Sequence, residues 1–296
     1  RRARAPSSRG GDAGKLLESL DSAFFKLLDE LTIARSRQHI VRFYEDSIQT
    51  MGGFPKRERP VSITNEIDSQ KRFPSYDELN ERISDYRLSL FNPSAYVRPE
   101  YIDRYELDRV AQFTQKKREH YLIGMMKVNF LKRLESSVHS FAVTMKRTIE
   151  KIEELESRIQ SFQALEASNL EVEFEQLLVE DIDDEELQAA LQVGTKLKFN
   201  LAHLDVEQWL SDLGDDKDKL KILYNSAKRV TATDDGKLLA LKKLIRDKAH
   251  KPTTTLDGRP NRKTLVFAAF ADTATYLYDN LRDWARNELG IHIALV

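Results

Sequence analysis

Residues 264–270, running from Thr264 to Phe270, form an unbroken apolar stretch of strand length. A helical pattern follows with Leu277, Leu281 and Trp284 on one face, and Gly290 stands where a helix C-terminal glycine belongs. Ile291 to Val296 is a second apolar run. The order predicts strand, helix, strand, one parallel unit of an α/β sheet. Parallel strands are covered on both faces, which accounts for runs that are apolar throughout rather than alternating. Two such strands cannot close a domain, so the expectation is a piece of a larger protein.

Everything before this unit reads as helix or linker. Residues 1–14 mix arginine with Pro, Ser and Gly and are expected to be a disordered basic arm, either touching phosphates or simply a loose end. Leu16, Leu20, Phe24, Leu27, Leu28 and Leu31 recur at helical spacing. Arg35, Arg37, His39 and Arg42 then interleave with Ile40, Val41, Phe43 and Tyr44, predicting a helix with a cationic side. Gly52 to Pro55 breaks the chain, and 60–67 reads as extended. Ser75 and Glu78 fit a capping box, predicting a helix to about Phe91.

The longest signal is a heptad. Leu134, Val138, Phe141, Met145, Thr148, Ile152, Leu155, Ile159 and Phe162 alternate spacings of four and three, with one polar slip at Thr148. One helix from about Glu119 to Ala164 is expected, paired within the chain or with a partner protein. Residues 171–186 are acidic and read as a solvated loop and helix start. Asp205 and Gln208 open a predicted short helix closing at Gly214, with further helices at about 217–229 and 234–249. Residues 252–262 read as a polar linker with a turn at Asp257 and Gly258.

The formal net charge of −1 argues neither for nor against a nucleic-acid partner. Cysteine is absent, which removes disulfides and thiolate chemistry and fits a reducing, intracellular (cytoplasmic) setting. No apolar run is long enough to span a bilayer, so no membrane partner is expected. The sequence has no Gly-rich phosphate loop ending in Lys-Ser or Lys-Thr, no dinucleotide fingerprint and no nucleophile elbow. The six histidines lie outside any metal-ligand spacing, and the acidic run 180–186 lacks the central glycine of a calcium loop. No catalytic or metal-binding residue is predicted. The best candidate contacts are two basic patches, Arg35, Arg37, His39 and Arg42, and Lys56, Arg57 and Arg59, whose alternatives are phosphate contact or a plain solvated face.

The stretch Arg262 to Leu281, in which a lysine leads into an apolar strand ending Phe267, Ala268, Ala269, Phe270 and then Asp272, Thr273, Ala274, resembles the first strand and helix of the second RecA-like lobe of superfamily 2 helicases. It is most similar to the Swi/Snf-related bacterial group. The run Asp235 to Ile245 resembles the helix that precedes that strand, and Leu31 to Ile40 resembles the element ending the first lobe. Met126 to Val138 resembles the helical insertion between lobes. The resemblance implies a mainly α fragment with a partial α/β portion: a long coiled-coil-like insertion followed by the first βαβ of a RecA-like P-loop NTPase lobe. Its expected divisions are 15–67, the end of lobe one; 68–250, the insertion; 251–262, a linker; and 263–296, the start of lobe two. It implies a parent protein that uses ATP and Mg to move on nucleic acid, duplex DNA by expectation, with the hydrolytic motifs outside this stretch. The fragment itself is expected to bind neither ATP nor Mg. Positions matching the loop that nears the tracked strand are Ala268, Ala269 and Phe270, with Lys263 beside them. The two alanines leave only backbone N–H groups for phosphate contact. Phe267 and Phe270 are expected in the core, and Asp272 as a helix cap.

Overall fold

The computed structural model describes residues 37–50, 53–54, 58–105, 115–164, 171–172, 199–255 and 257–296. The predicted arm at 1–14, the helical pattern at 16–31 and most of the acidic run lie outside the described residues. The chain divides into two units, Arg1–Ser62 and Ile63–Val296. In the first, helices α1 (Arg37–Phe43) and α2 (Glu45–Thr50) are separated only by Tyr44. Gly53, at φ 83°, donates its amide to Ile48 and ends the unit's described helical part.

The second unit is built on two helices that meet along matching seams. Helix α5 (Val138–Ala164) buries Val138, Phe141, Met145, Thr148, Ile152, Leu155 and Ile159, the heptad read from the sequence. Across from it lies α6 (Val206–Lys228). Its buried seam runs through Val206, Trp209, Leu213, Asp216, Leu220, Leu223 and Ala227, again at alternating spacings of three and four, with Asp212 buried beside it. Lys217 pairs with Glu156 at 2.5 Å and Lys221 with Glu153 at 2.8 Å. The rising number on one helix against the falling number on the other makes the pair antiparallel. Each fully buried Leu, Ile or Phe contributes about 1.5–3 kcal/mol, so this seam is the main source of stability. The expected stop at Gly214 is not there: α6 runs straight through it, because the same buried face continues to Ala227 on both sides of the glycine.

The single helix expected from about Glu119 to Ala164 is instead two, α4 (Gln115–Ser136) and α5. Ser137 separates them by turning its hydroxyl onto the Ser140 amide at 3.0 Å, as an N-cap does. Helix α3 (Tyr76–Ser84) has both bonds of the predicted capping box. It stops seven residues before Phe91, at Ser84 with Asp85 as its C-cap, and Leu88, at φ 53° and ψ 53°, then leads the chain into short 3-10 turns. Those turns bury Leu90, Phe91 and Tyr96 against α6. There Trp209 stacks on Tyr96 with centroids 5.6 Å apart and donates its indole N–H to Ser89 O at 3.0 Å. Asp212 accepts from Tyr96 Oη at 2.9 Å and is paired with Arg87. On α4, the buried Glu119 carboxylate accepts from Ser94 Oγ at 2.5 Å, the Ser94 amide at 3.1 Å and Gln115 at 2.9 Å.

A smaller core joins α7 (Gly236–His250) to α8 (Ala271–Leu289) through Leu238, Ile245 and Leu281, with Leu277 and Trp284 beside them. The N-cap of α7, Asp235, bridges to Asp68, and the Gly236 amide reaches Ile67 O at 3.2 Å. A β-carbon on Gly236 would lie 2.0 Å from Glu66 O, so this approach of two backbones requires glycine.

Two antiparallel two-stranded ladders complete the described structure. One pairs β1 (Glu171–Val172) with β2 (Phe199–Asn200), and the other pairs β3 (Thr253–Thr254) with β4 (Pro260–Asn261). The expected linker at 252–262 is thus a hairpin, with Gly258 at φ 77° in its turn. The expected parallel strands do not form. The helix between them is α8, capped by Gly290 at φ 62°, as predicted. Its flanks, however, join no ladder among the described residues, since neither bonds the other or any third segment. The fold is mainly helical.

Candidate nucleic-acid interface

The residues singled out from the sequence fall in both units. In the first unit, Arg37, His39 and Arg42 lie on α1, while Arg35, Lys56 and Arg57 lie outside the described residues. Arg37 sits 5.2 Å from the Phe54 ring centroid and Arg42 5.6 Å from that of Phe43. Five helical positions separate the two arginines, which places them some 140° apart around the axis rather than on one stripe. Val41, Phe43 and Tyr44 are exposed beside them.

In the second unit, Lys263, Ala268 and Ala269 are exposed and Phe270 is buried. No backbone group from Thr264 to Ala269 takes part in a hydrogen bond among the described residues. Leu265 is 83% exposed and Phe267 89% exposed, so Phe267 is not the core residue expected. One side of this segment faces a cavity of about 810 Å³ that includes Ala268, Ala269, Phe270, Lys132, Lys237 and Tyr276. The other side opens on a groove of about 740 Å³ that reaches Lys263, Leu277, Leu281 and Ile293.

What fixes the end of the segment is an ionic joint to α4 and α5. Arg133, only 2% exposed, lies over the Phe270 ring with its guanidinium carbon 4.0 Å from the centroid. Its Nη1 donates to Asp272 at 3.1 Å and to Ser140 at 3.3 Å, and Arg147 lies 3.5 Å from the same carboxylate. Asp272 therefore serves as an ion-pair acceptor in the first turn of α8, not as its cap. The cap position belongs to Phe270, whose side chain cannot accept a hydrogen bond. Thr273 Oγ1 meets Ser136 at 2.7 Å and Ser137 at 3.0 Å. His139 stacks on Tyr276 at 4.7 Å, and Tyr276 donates to Asp235 at 3.1 Å. Burial, followed by the Asp235 carboxylate, pushes the Tyr276 hydroxyl well above the ordinary phenol value, so it stays protonated and donates.

Sequence reasoning did not single out Arg133, Ser137 or Tyr276. A signal for Arg133 existed, since it continues the buried spacing of Leu122, Met126 and Asn129, where an apolar residue belongs. A charge in that register has to find a counter-charge.

The sequence has no phosphate loop, and the described residues hold no group of three or more His, Asp or Glu placed around a cation. No helix among the described residues is long and apolar enough to cross a membrane. No protein family, curated protein or solved structure matches the chain.

Proposed function

We propose that this chain is part of an ATP-dependent superfamily 2 helicase or Swi/Snf-like translocase acting on DNA in the cytoplasm. It contributes the helical insertion and the opening of the second RecA-like lobe, while ATP and Mg bind to motifs elsewhere in the parent protein. One observation carries this reading: two apolar segments, 264–269 and 291–296, flank a helix with almost no backbone hydrogen bonds of their own. An exposed apolar segment with an unpaired backbone offers a template beside which further strands can be laid. In a doubly covered parallel sheet Leu265 and Phe267 would be enclosed, and the groove between this segment and Leu277 and Leu281 of α8 lies on the side such a layer would use. The joint from Arg133 and Arg147 to Asp272 then couples the insertion directly to the first helix of the lobe. The alternative, a helical module pairing through the 134–162 heptad, has little left to pair with, because α6 of the same chain fills that seam.

The test is ATP hydrolysis by the full-length gene product, with and without duplex DNA. Hydrolysis stimulated by DNA is expected, with none from the 296-residue chain alone. A full-length protein that never hydrolyses ATP, or a fragment that does so unaided, would sink the reading.

A further inference from the structure

From Lys237 to Lys263 the sequence holds nine Lys or Arg against two Asp, a surplus of seven positive charges in a chain whose net charge is −1. The structure spreads this surplus over three successive pieces of surface: α7, the β3–β4 hairpin and the segment leaving it. On α7, Lys243, Arg246 and His250 follow at spacings of three and four, and all are exposed. Beyond the helix, Lys251, Arg259, Arg262 and Lys263 are exposed as well. The hairpin is tied to the helix end by Lys248 Nζ, which donates to Thr253 Oγ1 at 2.5 Å.

Few of these cations are neutralised. Arg246 pairs with Glu288 at 3.0 Å, and Arg259 pairs with Asp257 in the hairpin turn. Among the described residues no carboxylate lies within ion-pair distance of Lys243, Lys251, Arg262 or Lys263. Other cations are held in place: Lys242 and Arg246 lie 5.4 and 5.5 Å from the Trp284 ring centroid. Cations held over a ring keep their charge outward and lose less freedom on binding.

We propose that α7 and the β3–β4 hairpin form a sequence-independent binding surface for the phosphate backbone of nucleic acid. A backbone that carries one charge per ~1.7 Å of duplex axis suits a run of cations along a helix about 22 Å long with a hairpin continuing it. An anionic membrane suits it less. The exposed apolar residues of α7 are only Leu239 and Leu244, one helical turn and more apart among the lysines, which is not the broad apolar face an interfacial helix buries. The surface goes beyond the proposed motor, and it rests on that reading only in the choice of nucleic acid as the polyanion.

The experiment is fluorescence anisotropy of the 296-residue chain with a labelled 20-base-pair duplex across a salt series. The variant carries Lys243→Gln, Lys251→Gln, Arg262→Gln and Lys263→Gln, with Lys146→Gln and Arg158→Gln on α5 as the control. We expect salt-sensitive binding by the wild type and the control. The fourfold variant should bind at least tenfold more weakly, with a shallower salt slope, by about 0.9 per contact removed. All four side chains are exposed, so circular dichroism and thermal midpoint should not change. Binding untouched by the four glutamines overturns the surface, as does no binding by the wild-type chain. Vesicles of 30% phosphatidylserine form the competing arm: retention of wild type but not of the variant on vesicles, without duplex binding, assigns the cations to lipid and overturns the proposal. DNA-stimulated ATP hydrolysis by the full-length protein reports on the motor separately, so either idea can fail while the other stands.

Discussion

Truncating Arg133 strips Asp272 of its buried partner and uncovers the Phe270 ring. Breaking a buried ion pair from one side costs about 3–5 kcal/mol, and Arg147, being partly exposed, recovers only a fraction. Arg133→Met is therefore expected to lower the urea midpoint by an amount equivalent to ~3 kcal/mol. The double variant with Asp272→Leu should recover much of it, measured as a double-mutant cycle. Glu119 gives a pH signature. Burial, partly offset by hydrogen bonds from Ser94 and Gln115 and the nearby Arg118 charge, raises its carboxyl from 4.5 to about 7. The folded state thus holds the proton more tightly than the unfolded chain. Its contribution is complete below about pH 4.5 and is lost as pH rises through about 7. Glu119→Gln should flatten that decline, on the order of 3 kcal/mol, in urea titrations between pH 4.5 and 8. Asp68 behaves oppositely. Burial would raise its carboxyl, but amides from Gln70 and Arg72 with the Arg72 side chain outweigh it and hold it low. Its contribution is therefore present at neutral pH and fades as acid protonates it.

Two glycines separate what a helix tolerates from what it requires. Gly214 lies in mid-helix, where a β-carbon would meet nothing within 4 Å. Gly214→Ala should stabilise the chain by about 0.8–1 kcal/mol in thermal melts. Gly236→Ala should destabilise it and detach the Asp68 bridge, because the added carbon would overlap Glu66 O. The same contrast explains how much of the elements was legible beforehand. The α5 heptad, the α3 capping box and the αL cap at Gly290 are local signals, and each stands where its residues indicate. The second seam was hidden by Gly214, which looks like a stop, and by Asp216, a carboxylate in a core register. Asp216 is held there by the distant Ser89 amide at 2.7 Å, a contact that no local pattern announces. The left-handed Leu88, which starts the 3-10 turns after α3, has a tertiary reason too. It accepts a left-handed backbone because its side chain is thereby fully buried.

At the scale of the molecule, the antiparallel pair α5–α6 and the satellite pair α7–α8 are stable for different reasons. Replacing Phe141 and Met145 with Glu should unfold the monomer, seen as loss of helical circular dichroism, rather than dissociate an oligomer, because both side chains are buried within the chain. The satellite presents the opposite face to solvent. The stretch from Thr264 to Phe270 is apolar, uncharged and free of proline, and its backbone is unbonded up to Ala269. Such an edge recruits copies of itself. Leu265→Lys with Phe267→Glu should reduce concentration-dependent light scattering while leaving the thermal midpoint unchanged. Ala268 and Ala269 are indicated only by the resemblance to the second RecA-like lobe, and they lie exposed just before the buried Phe270. The joint that fixes the end of that segment is not legible in the sequence, since Arg133 and Asp272 are 139 positions apart.

The 27 residues of α5 extend about 40 Å, stiffened along much of their length by α6. Asp272 is clamped near the beginning of that rod, by Arg133 just before it and Arg147 within it. Leverage follows from this placement: if α8 rocks by ten degrees and the clamp holds, the opposite tip of the rod swings roughly 7 Å. A rotation too small to disturb the clamp itself becomes a displacement the size of a side chain at the far end.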